Sequence, residues 1–346
     1  MRTNGKIRAG IIGATGYAGV ELVRLLLRHP GAELAALSSE SFLGEQIESV
    51  YPSLLSSVSE KLVTPDEVIA RSECVFASLP HGLSQQIAAQ CDAQGRAFID
   101  LGADFRLDSE DEYRQWYGGA YEDRDLHSRA VYGLCELFRD EIQKTRVIGN
   151  PGCYPTSIAL ALAPALRGGL ILPGHIIIDS KSGVTGAGRG LTQGSHFPEA
   201  NEAFSAYKIA QHRHTPEIEQ TLTKLAGEQV RVTFVPHLLP VNRGILSTIY
   251  AQAAPGTALE PLRAAYRDFY RAEPFVRVVD KADIKYVKYS NYCDISVQFD
   301  ERTGTVILIS AIDNMVKGAA GQAIQNMNLI FGLEETCGLE MVPPAF

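Results

Sequence analysis

The sequence predicts an α/β protein: a doubly wound parallel sheet, followed by a second α+β domain built on a mainly antiparallel sheet. Two observations support this fold class. Over the first 150 residues, apolar strand patterns alternate with helix patterns, as they do when helices connect parallel strands. From residue 174 onwards, several strand patterns alternate apolar with polar residues, which is typical of an antiparallel sheet with one wet face.

The first predicted elements are a strand at 6–12, a glycine-rich turn, a helix at 20–27 and a strand at 32–37. A dinucleotide-binding turn requires this order of elements. In that role Gly13 permits the tight turn, Gly16 lets a pyrophosphate approach the backbone, and Gly19 allows the helix to pack closely. The spacing is GxxGxxG, so a glycine-rich turn without a ligand is the alternative. The context of strand and helix favours the dinucleotide.

Further along the first domain, a strand ends near residue 78, a helix covers 84–93 and a strand covers 97–101. Ligands of such sheets bind beyond the carboxyl ends of the strands, where Ser78, Pro80 and Arg106 are expected. Arg106 is a candidate for holding an anionic group in a bidentate manner, or else for an ordinary ion pair with a nearby aspartate. Residues 109–129 are interpreted as an irregular excursion, and strands at 131–135 and 145–149 return to the sheet.

Cys153 stands where a Pro-Gly turn becomes an apolar helix pattern starting at Ile158. A helix N-terminus stabilises a thiolate, and it also stabilises the oxyanion that forms when the thiolate attacks a carbonyl. The alternative is a small buried cysteine in a core helix. The turn and the helix start favour a nucleophile.

The second domain is predicted to cover residues 151–312, and residues 1–150 with 313–346 form the first. Residues 183–190 form a glycine-rich loop, residues 259–270 a helix, and residues 314–333 a long helix that packs back onto the first domain. The strands are expected at 176–180, 230–236, 244–251, 275–279, 294–299 and 305–312.

His212 and His214 flank Arg213 immediately before a predicted helix, with Thr215 as its N-cap and Pro216 at its first position. A histidine beside a nucleophilic cysteine shuttles protons near neutral pH. A surface loop is the alternative. No third ligand lies at suitable spacing, so no metal site is predicted.

Composition restricts the remaining possibilities. The net charge of −8 argues against nucleic acid or an anionic membrane as a partner. No apolar run approaches the ~18 residues of a membrane span. Six cysteines without a CxxC pair, and an N-terminus without a signal-peptide pattern, predict free thiols and a cytoplasmic location.

A dinucleotide site, a cysteine at a helix start, a histidine and an arginine together indicate one reaction class. In it, a thiolate attacks an acyl carbon and a hydride moves between nicotinamide and the carbon bound to sulfur. Four segments then resemble the N-acetyl-gamma-glutamyl-phosphate reductase family of arginine biosynthesis: GATGYAG at 13–19, NPGCYPT at 150–156, HRHTPE at 212–217 and DNMVKGAAGQ at 313–322.

The resemblance implies an N-terminal Rossmann domain completed by the C-terminal helix, and a dimerising α+β domain in a homodimer or homotetramer. It also implies NADPH-dependent reduction of an acyl phosphate, N-acetyl-glutamyl 5-phosphate, to the semialdehyde. Cys153 corresponds to the family's nucleophile, and the loop His212-Arg213-His214 to its acid/base and substrate-holding element. Of the two histidines, His214 is favoured as the acid/base because it lies next to the helix start, with His212 as a substrate contact, and the exchanged roles are the alternative. The residue patterns and the resemblance together give two further groups of expected site residues: substrate-binding Arg106, Ser182 and Arg213, and coenzyme-binding Gly13, Thr15, Gly16, Tyr17, Gly19, Ser78, Pro80, Gly183 and Asn314.

The second strand ends in Ser38 and Ser39, where NAD-binding domains place an acidic residue that binds the ribose. A carboxylate would repel a 2′-phosphate, whereas a hydroxyl donates to it. We therefore expect NADP as the coenzyme, with both serines in contact with it.

Two other functions remain open at this stage. One is a reductase of carrier-protein-linked aminoadipyl phosphate in lysine biosynthesis, which the acidic net charge disfavours because a small acidic carrier needs a basic docking surface. The other is a dinucleotide sensor without catalysis, against which the intact cysteine and histidines argue.

Overall fold

The structure is a computed structural model that describes residues 5–346. It divides into two compact units: one runs to Pro151 and includes Ala319–Met341, and the other comprises Gly152–Gly318 and Val342–Phe346. The sequence placed these boundaries at residues 150 and 312. Within residues 5–346, no helix is both long enough and apolar enough to cross a membrane.

The first unit is built on a fully parallel sheet of seven strands. Its central strands are short and buried on both faces, which is why they appear in the sequence as continuous apolar runs. The strands are β1 (Ile7–Ile12), β2 (Ala32–Ser38), β3 (Leu62–Val63), β4 (Cys74–Ala77), β5 (Ala97–Asp100), β6 (Val131–Tyr132) and β7 (Val147–Gly149). They lie in the order β3-β2-β1-β4-β5-β7-β6, which confirms the predicted doubly wound sheet.

Helices connect these strands, and their bounds are α1 (Tyr17–Leu26), α2 (Ile47–Val50), α3 (Pro65–Arg71), α4 (Gln85–Ala93), α5 (Glu110–Tyr117), α6 (Arg124–Arg129) and α7 (Cys135–Ile142). The interpretation of residues 109–129 as irregular was wrong, because α5 and α6 lie there. Ser109 and Asp123 cap these two helices by accepting backbone N–H groups, and Gly118 ends α5 in a left-handed conformation.

The second unit contains a mixed sheet of seven strands: β8 (Ile176–Gly183), β9 (Ser205–Ala206), β10 (Val232–Leu239), β11 (Ile245–Gln252), β12 (Val276–Val278), β13 (Cys293–Asp300) and β14 (Thr305–Ile312). Their order is β12-β13-β14-β11-β8-β10-β9. Four pairings are antiparallel, and two, β10 with β8 and β12 with β13, are parallel. The sheet is therefore mainly antiparallel, as predicted.

The helices of the second unit are α8 (Cys153–Arg167), α9 (Phe197–Ala200), α10 (Thr215–Ala226) and α11 (Leu259–Phe269). Helix α8 is the core of the unit: it is buried from Tyr154 to Leu166 and packs against β11, β14, α10 and α11. A helix that is apolar on all sides requires such full enclosure.

The long helix predicted at 314–333 begins later than expected. Residues Val316–Ala320 form a π-helical turn, and the α-helix α12 covers Gly321–Ile330. Helix α12 packs in the first unit against α7 and β5. Its Asn326 amide donates to the Gly133 carbonyl at 2.9 Å and to the Asn150 side-chain oxygen at 3.1 Å.

His29 connects the end of helix α1 to the C-terminal segment of the first unit. The Gly31 N–H donates to Nδ1 at 3.1 Å, so the ring proton lies on Nε2 and is donated to the Asn328 oxygen at 3.0 Å. Burial lowers the pKa of His29, opposed by the hydrogen bonds to Asn328 and to the Cys337 backbone. The His29 ring is therefore neutral in the folded protein.

A neutral histidine whose folded pKa lies below its unfolded value stabilises the protein above the unfolded pKa of about 6.5, and this contribution is lost as the pH falls below it. We expect wild type to lose more unfolding free energy between pH 7.5 and 5.5 than His29→Gln, by at most about 1.4 kcal/mol per pH unit. Urea unfolding at both pH values measures the difference. The exposed His196→Gln is the control, and equal losses in wild type and His29→Gln would contradict the assignment.

Candidate active site

The glycine-rich turn of the first unit has the shape of a dinucleotide cradle. Gly13 has φ of 83°, and a Cβ there would lie 2.3 Å from the Ser78 carbonyl oxygen. A Cβ at Gly19 would lie 2.1 Å from the Gly13 carbonyl oxygen. Packing within the protein therefore requires both glycines, as the sequence predicted.

Gly16 differs from these two glycines. It precedes α1 as its N-cap, and a Cβ there would meet nothing closer than 3.4 Å. Protein contacts alone do not require a glycine at this position, whereas a ligand approaching the start of α1 would. The helix start supplies backbone N–H groups and a positive dipole end, which suit a phosphate. The turn therefore fits a dinucleotide.

Ser38 and Ser39 lie at the end of β2, beside the glycine turn. Both are buried, and the Ser38 carbonyl accepts the Gly13 N–H at 3.1 Å and the Ala14 N–H at 2.9 Å. The Ser39 hydroxyl is 2.7 Å from that of Thr15. The structure thus brings Thr15 together with the two serines, next to the turn.

Arg106 follows β5, near the carboxyl ends of the strands. Its Nε donates to the Asn150 carbonyl at 2.7 Å, and its Nη2 donates to the Leu101 carbonyl at 2.7 Å. With His127 and Ser128 it lines a cleft of about 240 Å³. The guanidinium therefore holds the backbone at Leu101 and Asn150, and the role of Arg106 in binding substrate stays a prediction.

Cys153 is the first residue of α8, with Gly152 as the N-cap, and it is only partly buried. Pro155 lies in the first helical turn, where a missing N–H costs no helical hydrogen bond. Thr156 completes the turn by donating its N–H and its hydroxyl to the Gly152 carbonyl, at 3.0 and 2.9 Å. The prediction of a cysteine at a helix start is met.

Glu217 is a residue of this site to which sequence reasoning gave no role. Its carboxylate is buried and accepts the Gly152 N–H at 2.7 Å. It comes from the first turn of α10, just after the histidine loop. Its place in the HRHTPE motif was visible in the sequence, but nothing in that spacing indicates a contact with Gly152.

The two histidines lie at the start of α10, with ring centroids 4.9 Å apart. The helix begins at Thr215 with His214 as its N-cap, one residue earlier than predicted. The His214 N–H donates to Nδ1 of His212 at 3.1 Å, which leaves the proton of a neutral His212 on Nε2. Burial, and then the charge of His214, lowers the pKa of His212 to about 2.

Tyr154, the residue after Cys153, packs against both histidines: its ring centroid is 5.5 Å from that of His212 and 6.0 Å from that of His214. Its hydroxyl is 3.1 Å from the hydroxyl of Tyr207. Burial raises the pKa of both phenols, that of Tyr207 to about 12, so both remain protonated. The second unit thus gathers Cys153, the histidines and two neutral hydroxyls.

Other predicted residues of the second unit lie in a neighbouring cluster. Asn314 accepts the Gly244 N–H at 2.8 Å and donates to the Thr185 hydroxyl at 3.0 Å. Gly183 ends β8, where a Cβ would lie 2.6 Å from the Asn242 carbonyl oxygen. Ser182 is buried beside it, and Arg213, between the histidines, is half-buried.

The family comparison agrees with this reading of the residues. Residues 8–145 match the family model "Semialdehyde dehydrogenase, NAD binding domain", and residues 153–314 match "Semialdehyde dehydrogenase, dimerisation domain". Relatives named N-acetyl-gamma-glutamyl-phosphate reductase include one from Brachyspira hyodysenteriae, 54% identical over 98% of this chain and 100% of that protein. Another, from Clostridium beijerinckii, is 52% identical over the same shares.

The chain belongs to the N-acetyl-gamma-glutamyl-phosphate reductase family. The resemblance read from the four motifs is thereby confirmed, and so is the class of enzyme, a phosphorylating aldehyde dehydrogenase. A nicotinamide dinucleotide is its cofactor, in keeping with the shape of the glycine turn.

Solved structures confirm the fold class. Aspartate semialdehyde dehydrogenase II from Vibrio cholerae superposes with a TM-score of 0.73 at 16% identity, covering 95% of this chain and 99% of that one. The aspartate semialdehyde dehydrogenase from Candida albicans, with NADP, has a TM-score of 0.70 at 15% identity, covering 94% and 99%. At such identities, the likeness concerns the fold alone.

The backbone of Gly318 lies against Cys153: a Cβ at residue 318 would be 2.7 Å from the Cβ of Cys153. We expect Gly318→Ala to lower the free energy of unfolding by about 1–3 kcal/mol, the usual cost of overpacking. Gly174→Ala is the matched control, because a Cβ there meets nothing within 4 Å. Urea unfolding of both variants tests this, and equal stability would show that Cys153 moves aside freely.

Proposed function

We propose that the enzyme reduces N-acetyl-L-glutamyl 5-phosphate to N-acetyl-L-glutamate 5-semialdehyde with NADPH, releasing phosphate, as a step of arginine biosynthesis. The observation that carries the proposal is the partly exposed Cys153 at the start of α8, grouped with His212 and His214 around Tyr154. The names of relatives at 47–54% identity support the substrate.

In the proposed first step, the thiolate of Cys153 attacks the acyl carbon and forms a carbon–sulfur bond, and the carbon–oxygen bond to phosphate breaks. The product is a thioester and inorganic phosphate. The N-terminus of α8 supports both the thiolate and the oxyanion, because its dipole is positive there. Glu217 fixes this helix start through the Gly152 N–H.

A bound nicotinamide would supply the hydride that reduces the thioester carbon. The resulting alkoxide on that carbon collapses, the carbon–sulfur bond breaks, and the aldehyde leaves with the thiolate regenerated. Formation of the thioester and its reduction thus use the same cysteine, which is the pattern of covalent catalysis. The glycine turn, Ser78, Pro80, Gly183 and Asn314 are the residues proposed to hold the coenzyme.

We assign to His214 the proton transfer that generates the thiolate, in which it accepts the proton of the Cys153 thiol. His212 is a poor candidate, since its pKa of about 2 keeps it neutral over the whole working range. A neutral His212 with its proton on Nε2 is instead a hydrogen-bond donor, which suits contact with a substrate oxygen. Ser182, Arg213 and Arg106 are proposed as further substrate contacts.

The preference for NADP rests on the end of β2. Ser38 and Ser39 stand where a carboxylate would select NAD, and the Ser39 and Thr15 hydroxyls already lie 2.7 Å apart. Hydroxyl and backbone donors are compatible with a 2′-phosphate. A homodimer or homotetramer is proposed from the dimerisation family model that matches residues 153–314. The cytoplasmic location stays a prediction.

The purified enzyme should reduce NADP, and NAD much more slowly, in the presence of N-acetylglutamate semialdehyde and phosphate. Cys153→Ser should abolish this activity while the coenzyme dissociation constant stays within about twofold of wild type, because a serine hydroxyl is far harder to deprotonate than a thiol. Stopped assays and coenzyme titration measure the two quantities.

Two results would overturn these assignments. Retention of a tenth or more of the activity by Cys153→Ser would assign the nucleophile to another residue. Turnover only with carrier-linked aminoadipate semialdehyde would reassign the substrate.

We expect His214→Asn to lower kcat by about 10²-fold or more, as loss of a general acid/base does. His212→Asn should mainly raise the KM for acyl phosphate, since its role is substrate contact. The kcat–pH profile near neutrality should survive in the His212 variant, because His212 does not titrate there. If that profile vanished in the His212 variant alone, the two roles would be exchanged.

A further inference from the structure

The loop of residues 78–84 connects β4 to α4 and contains Ser78 and Pro80, two of the proposed coenzyme contacts. Its first residue supports the glycine turn. The Ser78 N–H donates to the Ile12 carbonyl at 2.8 Å, and its own carbonyl oxygen occupies the space in which a Cβ of Gly13 would lie. The position of this loop therefore sets one wall of the dinucleotide cradle.

The far end of the same loop is held by Asp104. One carboxylate oxygen accepts the Gly82 N–H at 2.7 Å and the Tyr113 hydroxyl at 2.8 Å, and the other accepts the Ser84 N–H at 3.0 Å. Asp104 is fully buried. A buried carboxylate is costly unless its oxygens are satisfied, and here backbone N–H groups at the start of α4 satisfy them.

A second buried carboxylate, Asp100 at the end of β5, supports the first. It accepts the Ser84 hydroxyl at 2.7 Å, the Gly102 N–H at 2.9 Å and the Asp104 N–H at 3.2 Å. Ser84 is the N-cap of α4, yet its hydroxyl makes no capping bond and is donated to Asp100 instead. Ser84 thus ties the end of the loop, where α4 begins, to the end of β5.

An aromatic contact fixes the middle of the loop. The His81 ring packs edge-on against Tyr117 of α5, with centroids 5.4 Å apart, and Tyr117 stacks on Tyr113 at 5.4 Å. Tyr113 is the residue whose hydroxyl binds Asp104. The loop is therefore anchored at 81, 82 and 84 by a single connected network, and Ser78 and Leu79 at its beginning lie against Gly13 of the glycine turn.

We propose that Asp100 and Asp104 are positioning residues for the coenzyme: together they hold residues 78–84 in the shape that receives the nicotinamide dinucleotide. This inference rests on the proposed use of that loop by the coenzyme. Neither carboxylate is proposed to touch the coenzyme; both act through the position of the loop.

The ionisation of Asp100 gives the arrangement a pH dependence. Burial, and then the charge of Asp104, raises the pKa of Asp100 to about 6, while Ser84, Arg106 and Gly102 oppose the shift. The charged and titratable groups that act on Asp100 are Asp104, Arg106 and Tyr113. Protonation removes the negative charge of Asp100, which strengthens the three hydrogen bonds that it accepts, and so weakens its hold on the loop. Coenzyme affinity should fall as the pH drops through about 6.

The test measures the dissociation constant of NADPH for the full chain by fluorescence titration, with kcat and KM determined in parallel. Asp104→Asn and the milder Ser84→Ala should raise the dissociation constant and the coenzyme KM, about tenfold and severalfold respectively, while kcat at saturating NADPH stays within about twofold. Asp294→Asn is the matched control, because Asp294 is a buried carboxylate of the second unit that pairs with Arg277. It should lose stability and keep its NADPH affinity.

A comparison between pH 7.5 and 5.5 adds a readout that a purely structural role would not change. The loss of NADPH affinity on acidification should be larger in wild type than in Asp100→Asn, whose side chain cannot titrate. Unchanged affinity in folded Asp104→Asn and Ser84→Ala would overturn the proposal. Failure of wild type to bind NADPH at all would instead overturn the proposed function, so the two failures are distinguishable.

Discussion

The hydrogen bond between the Gly152 N–H and the buried Glu217 carboxylate is the contact on which the proposed catalytic arrangement depends. It joins the N-terminus of α8 to the first turn of α10. A carboxylate is stable there because both helix ends present their positive dipole end and unpaired N–H groups. Since Cys153 is the first residue of α8 and His214 precedes α10, this bond fixes Cys153, the proposed nucleophile, relative to the histidines.

The same local geometry supports the different roles proposed for the two histidines of this loop. The His214 N–H occupies Nδ1 of His212, so backbone geometry sets the tautomer of His212, and burial keeps its ring neutral. Tyr154 and Tyr207 add hydroxyls that stay protonated. His212 and the two tyrosines are therefore uncharged hydrogen-bonding groups, and the proposed proton transfer is left to His214.

Sequence patterns predicted the fold well where a single physical signal dominated. The central strands of the first sheet appear as apolar runs because both of their faces are buried, and the glycine turn is defined by its spacing and context. Helices α5 and α6 were missed because polar residues dominate them and leave little apolar periodicity. Both helices form nevertheless, with Ser109 and Asp123 as their N-caps. The role of Glu217 could not be predicted, since it depends on a contact 65 residues away.

Three buried carboxylates share one function in this fold. Asp104 accepts N–H groups of the loop at 78–84, Glu217 accepts that of Gly152, and Asp313 accepts those of Tyr289, Met315 and Val316 at 2.6, 2.8 and 3.2 Å. Glu217 and Asp313 lie beside the predicted site residues Cys153 and Asn314, and Asp104 holds the loop that begins at the predicted site residue Ser78. Loops that approach ligands cannot pair all their N–H groups within helices or sheets, so they need acceptors from elsewhere. A carboxylate accepts several N–H groups at once and is stabilised by them. It can therefore hold a loop from the protein side and leave the side that faces a ligand uncovered.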